Sequence, residues 1–169
     1  MHNFISIQPY DLSNNAFKLI GKEWMLIAAG NEQSSNCMTA SWGGFGFLWN
    51  KPVVFIFVRP QRYTYTFLEK HDFFTLNFFN EIYRSILNFC GAESGRNVNK
   101  AEECKLDIAV TPNNSIAYRQ AHTIIECKKM YKEQLKPEAL IDKSALDFYP
   151  NNDFHYMYVA EISNCFIRS

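Results

Sequence analysis

Arg59 and Arg62 share the run Arg59-Pro60-Gln61-Arg62-Tyr63-Thr64-Tyr65-Thr66 with several hydroxyl side chains. Guanidinium forks, hydroxyls and the main-chain amides of a loop-to-helix junction are the donors a phosphate needs. Upstream, Asn36-Cys37-Met38-Thr39-Ala40-Ser41-Trp42-Gly43-Gly44 is a stretch of mostly small residues, along which a backbone can approach a flat ligand closely. There Thr39, Ala40 and Ser41 offer main-chain donors, and Trp42 offers an apolar wall. Together these predict a flavin mononucleotide (FMN) site, with Arg59, Arg62 and Thr64 at its phosphate end. Taken alone, Thr39 to Trp42 reads more simply as an ordinary barrel strand with both arginines solvated. The order strand, arginine pair, capped helix is what builds a pocket.

The other reactive side chains form no such pattern. Cys37, Cys90, Cys104, Cys127 and Cys165 are an odd set without CxxC spacing, which argues for reduced, packed thiols over a disulfide framework or a zinc ribbon. Cys37 could be redox-active beside a flavin, but nothing in the sequence visibly lowers its pKa. His2, His71 and His122 have no metal-ligand spacing with one another or with a cysteine, so no metal site is expected. Lys128, Lys129, Lys132 and Lys136 read as a solvated face. Walker, Rossmann and nucleophile-elbow patterns are missing.

These residues must be positioned by a chain of 169 residues, 47% hydrophobic and 16% aromatic. That length fits one domain, residues 1–169, with a sizeable core, and the aromatic excess favours pleated structure. With 17 basic and 17 acidic side chains, a general polyanion binder is disfavoured and no nucleic-acid partner is expected. The start, Met1 to Ser6, lacks the basic and apolar regions of a signal peptide. The longest apolar run, Val53 to Val58, is too short to span a bilayer. The expectation is a soluble, cytoplasmic protein without a membrane partner.

Along the chain, Asp11 to Lys22 reads as an irregular lead-in with one helical turn. Strands are expected at Trp24–Ala29, Asn36–Phe47, Pro52–Val58 and Asp72–Phe79, with a turn at Gly30-Asn31-Glu32. Arg59-Pro60 ends the third strand. Thr64 or Thr66 can then cap a short helix through Lys70, Thr66 and Glu69 having capping-box spacing. Glu81–Phe89 is a helix candidate with Ile82, Ile86 and Phe89 on one stripe. Gly91–Lys100 is a loop, Asn99–Cys104 a helical turn, and Asn113-Asn114-Ser115 a turn. Ile124–Leu135 is ambiguous between helix and strand and is read as a long strand with one solvated face. Pro137–Leu146 resembles a helical insertion, and Phe154–Ile167 returns to strand. Short strands between turns, with few helices, predict a mainly β fold: a closed barrel of Greek-key character.

Met38-Thr39-Ala40-Ser41-Trp42-Gly43, Lys51-Pro52 and Arg59-Pro60-Gln61-Arg62-Tyr63-Thr64 resemble, in order, the flavin reductase-like family of the FMN-binding split-barrel fold, notably its flavoredoxin-like branch. Cys90-Gly91-Ala92-Glu93-Ser94-Gly95-Arg96, with Lys100 beyond, resembles that family's C-G-x-x-S-G-R loop. The resemblance runs from about Trp24 to Cys165. It implies that the small-residue strand lies along the flavin and that the segment including Tyr63 helps bind the phosphate end. It also implies that Ser94, Gly95, Arg96 and Lys100 border the cofactor. Two departures stand out. Asp153-Phe154-His155 occupies the place of a G-D-H segment, with Ala160 where a glycine is usual, and Asn99 stands where an aspartate is frequent. His155 is open between a role near the nicotinamide and flavin and that of a barrel-rim histidine.

The family implies a homodimer with each flavin near the subunit interface. It further implies an oxidoreductase that takes hydride from NAD(P)H and passes electrons to free flavin, iron or a protein acceptor. The altered surroundings of His155 keep open an FMN-binding electron carrier that does not itself oxidise NAD(P)H, and, more weakly, a barrel that has lost its flavin.

Overall fold

The computed structural model describes residues 3–169. His2, and the first two residues of the segment read for a signal peptide, lie outside the described residues.

Strand β1 (Phe4–Ile7) leads through a 3₁₀ turn to a short helix α1 (Ala16–Lys18). Asn15 caps α1, its side chain accepting from the Lys18 amide at 3.0 Å, the usual solution for unpaired first-turn amides. After a π-turn over Leu19–Glu23 come β2 (Met25–Gly30) and β3 (Ser35–Ala40), then β4 (Gly43–Leu48) and β5 (Lys51–Val58). Helix α2 (Tyr63–Lys70) precedes β6 (Phe73–Phe78), α3 (Arg84–Ala92) and the single-turn α4 (Lys100–Glu103). A small hairpin, β7 (Ile108–Val110) and β8 (Ile116–Tyr118), precedes the long strands β9 (Thr123–Gln134) and β10 (Tyr156–Arg168). Two 3₁₀ turns, Pro137–Ala139 and Lys143–Phe148, fill the β9–β10 connection.

The large sheet is antiparallel in the order β3-β2-β6-β9-β10-β5-β4, with β1 paired to the far end of β10. Its first and last strands are consecutive in the chain, joined only by Ser41 and Trp42. The sheet therefore has to curl until its ends meet, and register shifts between β9 and β10 help it bend. Ile27, Met38, Val54, Ile56, Leu76 and Tyr158 fill the inside of the curl. Phe45 of β4 crosses it to Phe78 of β6, with ring centroids 6.4 Å apart. The result is the mainly β split barrel expected from the sequence.

A second core forms on the outer face of β2, β3 and β6. There Leu26, Ala28 and Cys37 meet Leu87 and Cys90 of α3 and Tyr118 of β8. Because β2 lies between both cores, it is buried along its whole length.

Several expectations need correction. Asn36–Phe47 is two strands on opposite edges of the sheet, because the chain turns at Ser41-Trp42. The capping reading fails: α2 starts at Tyr63 with Arg62 as an N-cap that provides no side-chain bond. Thr66 instead donates to the Tyr63 carbonyl at 2.8 Å, inside the helix. The buried stripe of α3 is Leu87 and Cys90, whereas Ile82 sits in a preceding 3₁₀ turn and is 81% exposed. Among the described residues, no helix is long and apolar enough to cross a membrane.

Candidate flavin site

Strand β3 ends the sheet order and pairs only with β2, so alternate main-chain groups on its outer edge have no strand partner. Two cavities lie along it. One, about 290 Å³, is lined by Met38, Thr39, Ala40, Ser41 and Trp42 together with Phe57, Arg59 and His155. The other, about 790 Å³, lies against the start of the strand and is lined in part by Asn36, Cys37, Tyr63, Gly95, Arg96 and Lys100.

At the first cavity, what β3 offers is mainly backbone. The Ala40 side chain is packed in the barrel core, and the Thr39 hydroxyl donates to the Leu87 carbonyl at 2.5 Å. Trp42 remains 42% exposed. Its ring meets His155 at 5.1 Å and takes the edge of Phe148 at 5.5 Å. Arg59 reaches back to Asp153 at 2.5 Å and to the Phe148 carbonyl at 2.7 Å. His155 Nδ1 lies 2.9 Å from the Tyr149 hydroxyl. Burial, with the Arg59 charge adding to it, pushes the imidazole down to about 4, so this histidine is neutral at physiological pH.

At the second cavity, the α2 N-terminus meets the loop after α3. Arg62 Nη1 and Nη2 donate to the carbonyls of Gly91 and Cys90 at 2.9 and 3.4 Å. Arg96 Nη1 donates to the Gln61 carbonyl at 2.9 Å, and its guanidinium lies 4.9 Å from the Tyr63 ring centroid. Ser94 shapes the turn, its hydroxyl accepting from the Arg96 amide at 3.3 Å. Asn36 donates to the buried Thr64 hydroxyl at 2.7 Å, so that hydroxyl is held inside the protein. Gly95 lies so close to Asn36 that a Cβ there would come within 1.9 Å of its side-chain oxygen. Lys100 is buried and donates to the Cys37 and Cys90 carbonyls at 2.9 and 2.8 Å. Burial pushes its pKa down.

The expected site residues thus gather along one strand edge, but in two groups. Thr39, Ala40, Ser41, Trp42 and Arg59 meet His155, while Tyr63, Gly95 and Arg96 meet at the other end. Arg62 and Thr64 stand behind that second group, and Lys100 lines the cavity with it; all three have polar atoms already bonded to the protein. Ser94 supports the turn and lines neither cavity.

A profile of the flavin reductase like domain matches residues 17–168. The chain belongs to the flavin reductase-like family. Among solved structures, the FMN-binding domain of a flavin reductases-like enzyme from Shewanella baltica OS155 superposes with a TM-score of 0.71 at 15% identity. That alignment covers 98% of this chain and 78% of the other. Flavoredoxin from Methanosarcina acetivorans gives 0.69 at 19% identity, covering 96% and 77%. An NADH:FAD oxidoreductase from Streptomyces globisporus C-1027 gives 0.64 at 14%, covering 87% and 75%. At these identities the likeness is one of fold. No match was found among curated proteins.

Within this flavin reductase-like fold, the reading from sequence did not identify Asn36, Phe57, Gln61 and Asp153 as site residues. Gln61 and Asp153 are bonded to one another, and Asp153 also holds Arg59. Gln61 is the variable position of the R-P-x-R segment, and its partner lies far away in the chain, so no local signal could have revealed the contact.

Proposed function

We propose that this chain binds FMN along the outer edge of β3 and acts as a flavin reductase-type oxidoreductase. It takes reducing equivalents from NAD(P)H and delivers them to free flavin, iron or a protein acceptor. The observation that carries this reading is the convergence on one strand edge of an apolar slot and a cationic helix start. Trp42 and Phe57 give the slot walls, and the β3 edge gives main-chain donors to a flat ring. The first turn of α2 has no side-chain cap among the described residues. The Tyr65 amide donates to the Arg62 carbonyl at 2.9 Å, which leaves the first two amides of the helix at the positive end of its dipole, with Arg96 beside them and Arg62 behind. A phosphate dianion fits that donor set.

When bound, FMN supplies the hydride and electron chemistry. The residues of this chain bind, orient and exclude water. Arg96 and the α2 amides hold the phosphate end, and Arg62 fixes the α3 terminus against α2. Trp42 and His155 bound the ring end, with neutral His155 serving as a hydrogen-bonding wall instead of a proton source. We further propose a homodimer with the flavin near its interface, supported by the exposed aromatic rings of Trp42, Phe47, Trp49 and Phe148.

A specific observation favours a second reading, an FMN-binding electron carrier that does not oxidise NAD(P)H. The 3₁₀ segment Lys143–Phe148 sets the Phe148 ring against Trp42 and its carbonyl on Arg59, so two walls of the slot are already engaged where a nicotinamide would have to stack. Anaerobic absorbance of the FMN-loaded protein decides between them. Rapid bleaching by NADH or NADPH supports the reductase. Bleaching only by a chemical reductant supports the carrier.

A further inference from the structure

Behind β3, on the side away from the barrel core, three thiols stand in line. Cys37 Sγ on β3 lies 3.9 Å from Cys90 Sγ on α3, and Cys90 Sγ lies 4.0 Å from Cys104 Sγ at the end of α4. The other two cysteines, Cys127 and Cys165, belong to the barrel core. The three-thiol row is not predicted by spacing, since its members come from three separate elements. Lys100 ties the row together by donating to the carbonyls of both Cys37 and Cys90. Cys37 lines the 790 Å³ cavity, and Cys104 is partly exposed at the opposite end of the row.

We propose that Cys37 and Cys90 are a redox-active dithiol that reduces a hydroperoxide entering the cavity beside β3, with Cys104 able to take over the resulting disulfide. In the first step the Cys37 thiolate attacks the peroxide. An S–O bond forms, the O–O bond breaks, and the leaving oxygen takes up the proton that Cys37 released on ionising, departing as an alcohol (or water). Sulfur is oxidised to a sulfenic acid while the peroxide is reduced by two electrons. In the second step Cys90 attacks the Cys37 sulfur. The S–S bond forms, the S–O bond breaks, and water leaves with the Cys90 proton. Thiol–disulfide exchange then lets Cys104 attack Cys90 and release Cys37 as a thiol. An external dithiol returns the pair to its reduced form in the usual exchange.

The geometry and charge fit these roles. A disulfide needs its sulfurs at about 2.05 Å, so the pair, 3.9 Å apart, must close by roughly half its present separation. The thiolate is the reactive form. Contact with the Cys90 thiol lowers the Cys37 pKa against the effect of burial, and Tyr118, Lys100 and Arg62 act in the same direction. Cys90 is driven the opposite way, mainly by that same contact and then by burial, which suits a resolving thiol that stays protonated until it attacks. Burial raises Cys104 as well, and of the three thiols it is Cys37, though buried, that lines the cavity, which makes it the first nucleophile of the row.

The test treats the purified protein, without added flavin, with stoichiometric hydrogen peroxide. It is then alkylated under denaturing conditions and mapped by peptide mass spectrometry. The proposal predicts loss of two hydrogens and a cross-linked pair, Cys37–Cys90 or its exchange product Cys90–Cys104, reversed by a dithiol. Cys127 and Cys165 stay fully alkylatable. In Cys90→Ala the cross-link is lost and a dimedone adduct accumulates on Cys37. Should that variant fail to fold, Cys104→Ser, which the proposal expects to leave the Cys37–Cys90 bond intact, serves in its place. Alkylatable Cys37 and Cys90 in the wild type after peroxide, or oxidation confined to Cys104, would overturn it.

Discussion

Arg62 Nη1 donates to the Gly91 carbonyl at 2.9 Å, fastening the start of α2 to the last turn of α3. Its neighbour Nη2 reaches the preceding carbonyl, Cys90. A cation on the final carbonyls of a helix is well placed against the helix dipole. In the proposed site, Arg62 therefore organises the phosphate end from behind. Arg62→Ala is expected to weaken FMN binding by about tenfold or more and also to cost roughly 1–3 kcal/mol of stability, since charged hydrogen bonds to carbonyls are lost. Isothermal titration and urea denaturation measure the two effects. Full affinity in the variant would remove Arg62 from the site.

Arg96 makes the complementary case. It is exposed, with one bond to the Gln61 carbonyl and its guanidinium over Tyr63. Arg96→Ala should lower FMN affinity by about tenfold through loss of a charged donor while leaving the denaturation midpoint nearly unchanged. Comparing FMN with riboflavin, which lacks the phosphate, checks the assignment. Only FMN binding should suffer.

Gly95 is where the loop presses on β3. An alanine there would place its Cβ 1.9 Å from the Asn36 oxygen and push Asn36 off Thr64. Such overpacking costs about 1–3 kcal/mol. Gly95→Ala is expected to lower both thermal stability and FMN affinity, and a stable variant of normal affinity would show that the loop is free to move.

His155 governs an acid limb. Its folded pKa of about 4 lies below the ordinary 6.5, so between these values the unfolded chain holds more protons. The resulting stabilisation is complete above about pH 6.5 and is lost as pH falls towards 4. It is on the order of 3 kcal/mol. His155→Gln keeps an acceptor for Tyr149 but cannot titrate in this range. The difference in unfolding free energy between wild type and variant should therefore shrink as the pH is lowered from 7 to 4. A constant difference would contradict the buried neutral imidazole.

How far the sequence could lead is visible in particular residues. The apolar run Val53–Val58 and the alternation of Tyr156 to Ile167 reported β5 and β10 because periodicity follows burial directly. Phe45 and Gly43 misled, since a strand that leaves one edge of a curled sheet and joins the other looks continuous in sequence. The break at Ser41-Trp42 is a closure effect. Thr64 and Lys100 carry the right chemistry for a phosphate, yet Asn36 and two carbonyls claim them, which only long-range packing decides. The β4–β5 turn showed only as the gap between Phe47 and Pro52, because Trp49 and Asn50 both adopt positive φ without the glycine that normally signals such a turn. The row Cys37, Cys90, Cys104 was invisible because β3, α3 and α4 meet only after folding.

The measurement that bears most directly on the central claim is a fluorescence titration of FMN with the purified, flavin-free protein. The account predicts saturable quenching as the ring settles beside Trp42, ending at equal molar amounts of flavin and chain and weakened in Arg96→Ala. FMN emission that stays unchanged throughout the titration would contradict a flavin site on the β3 edge.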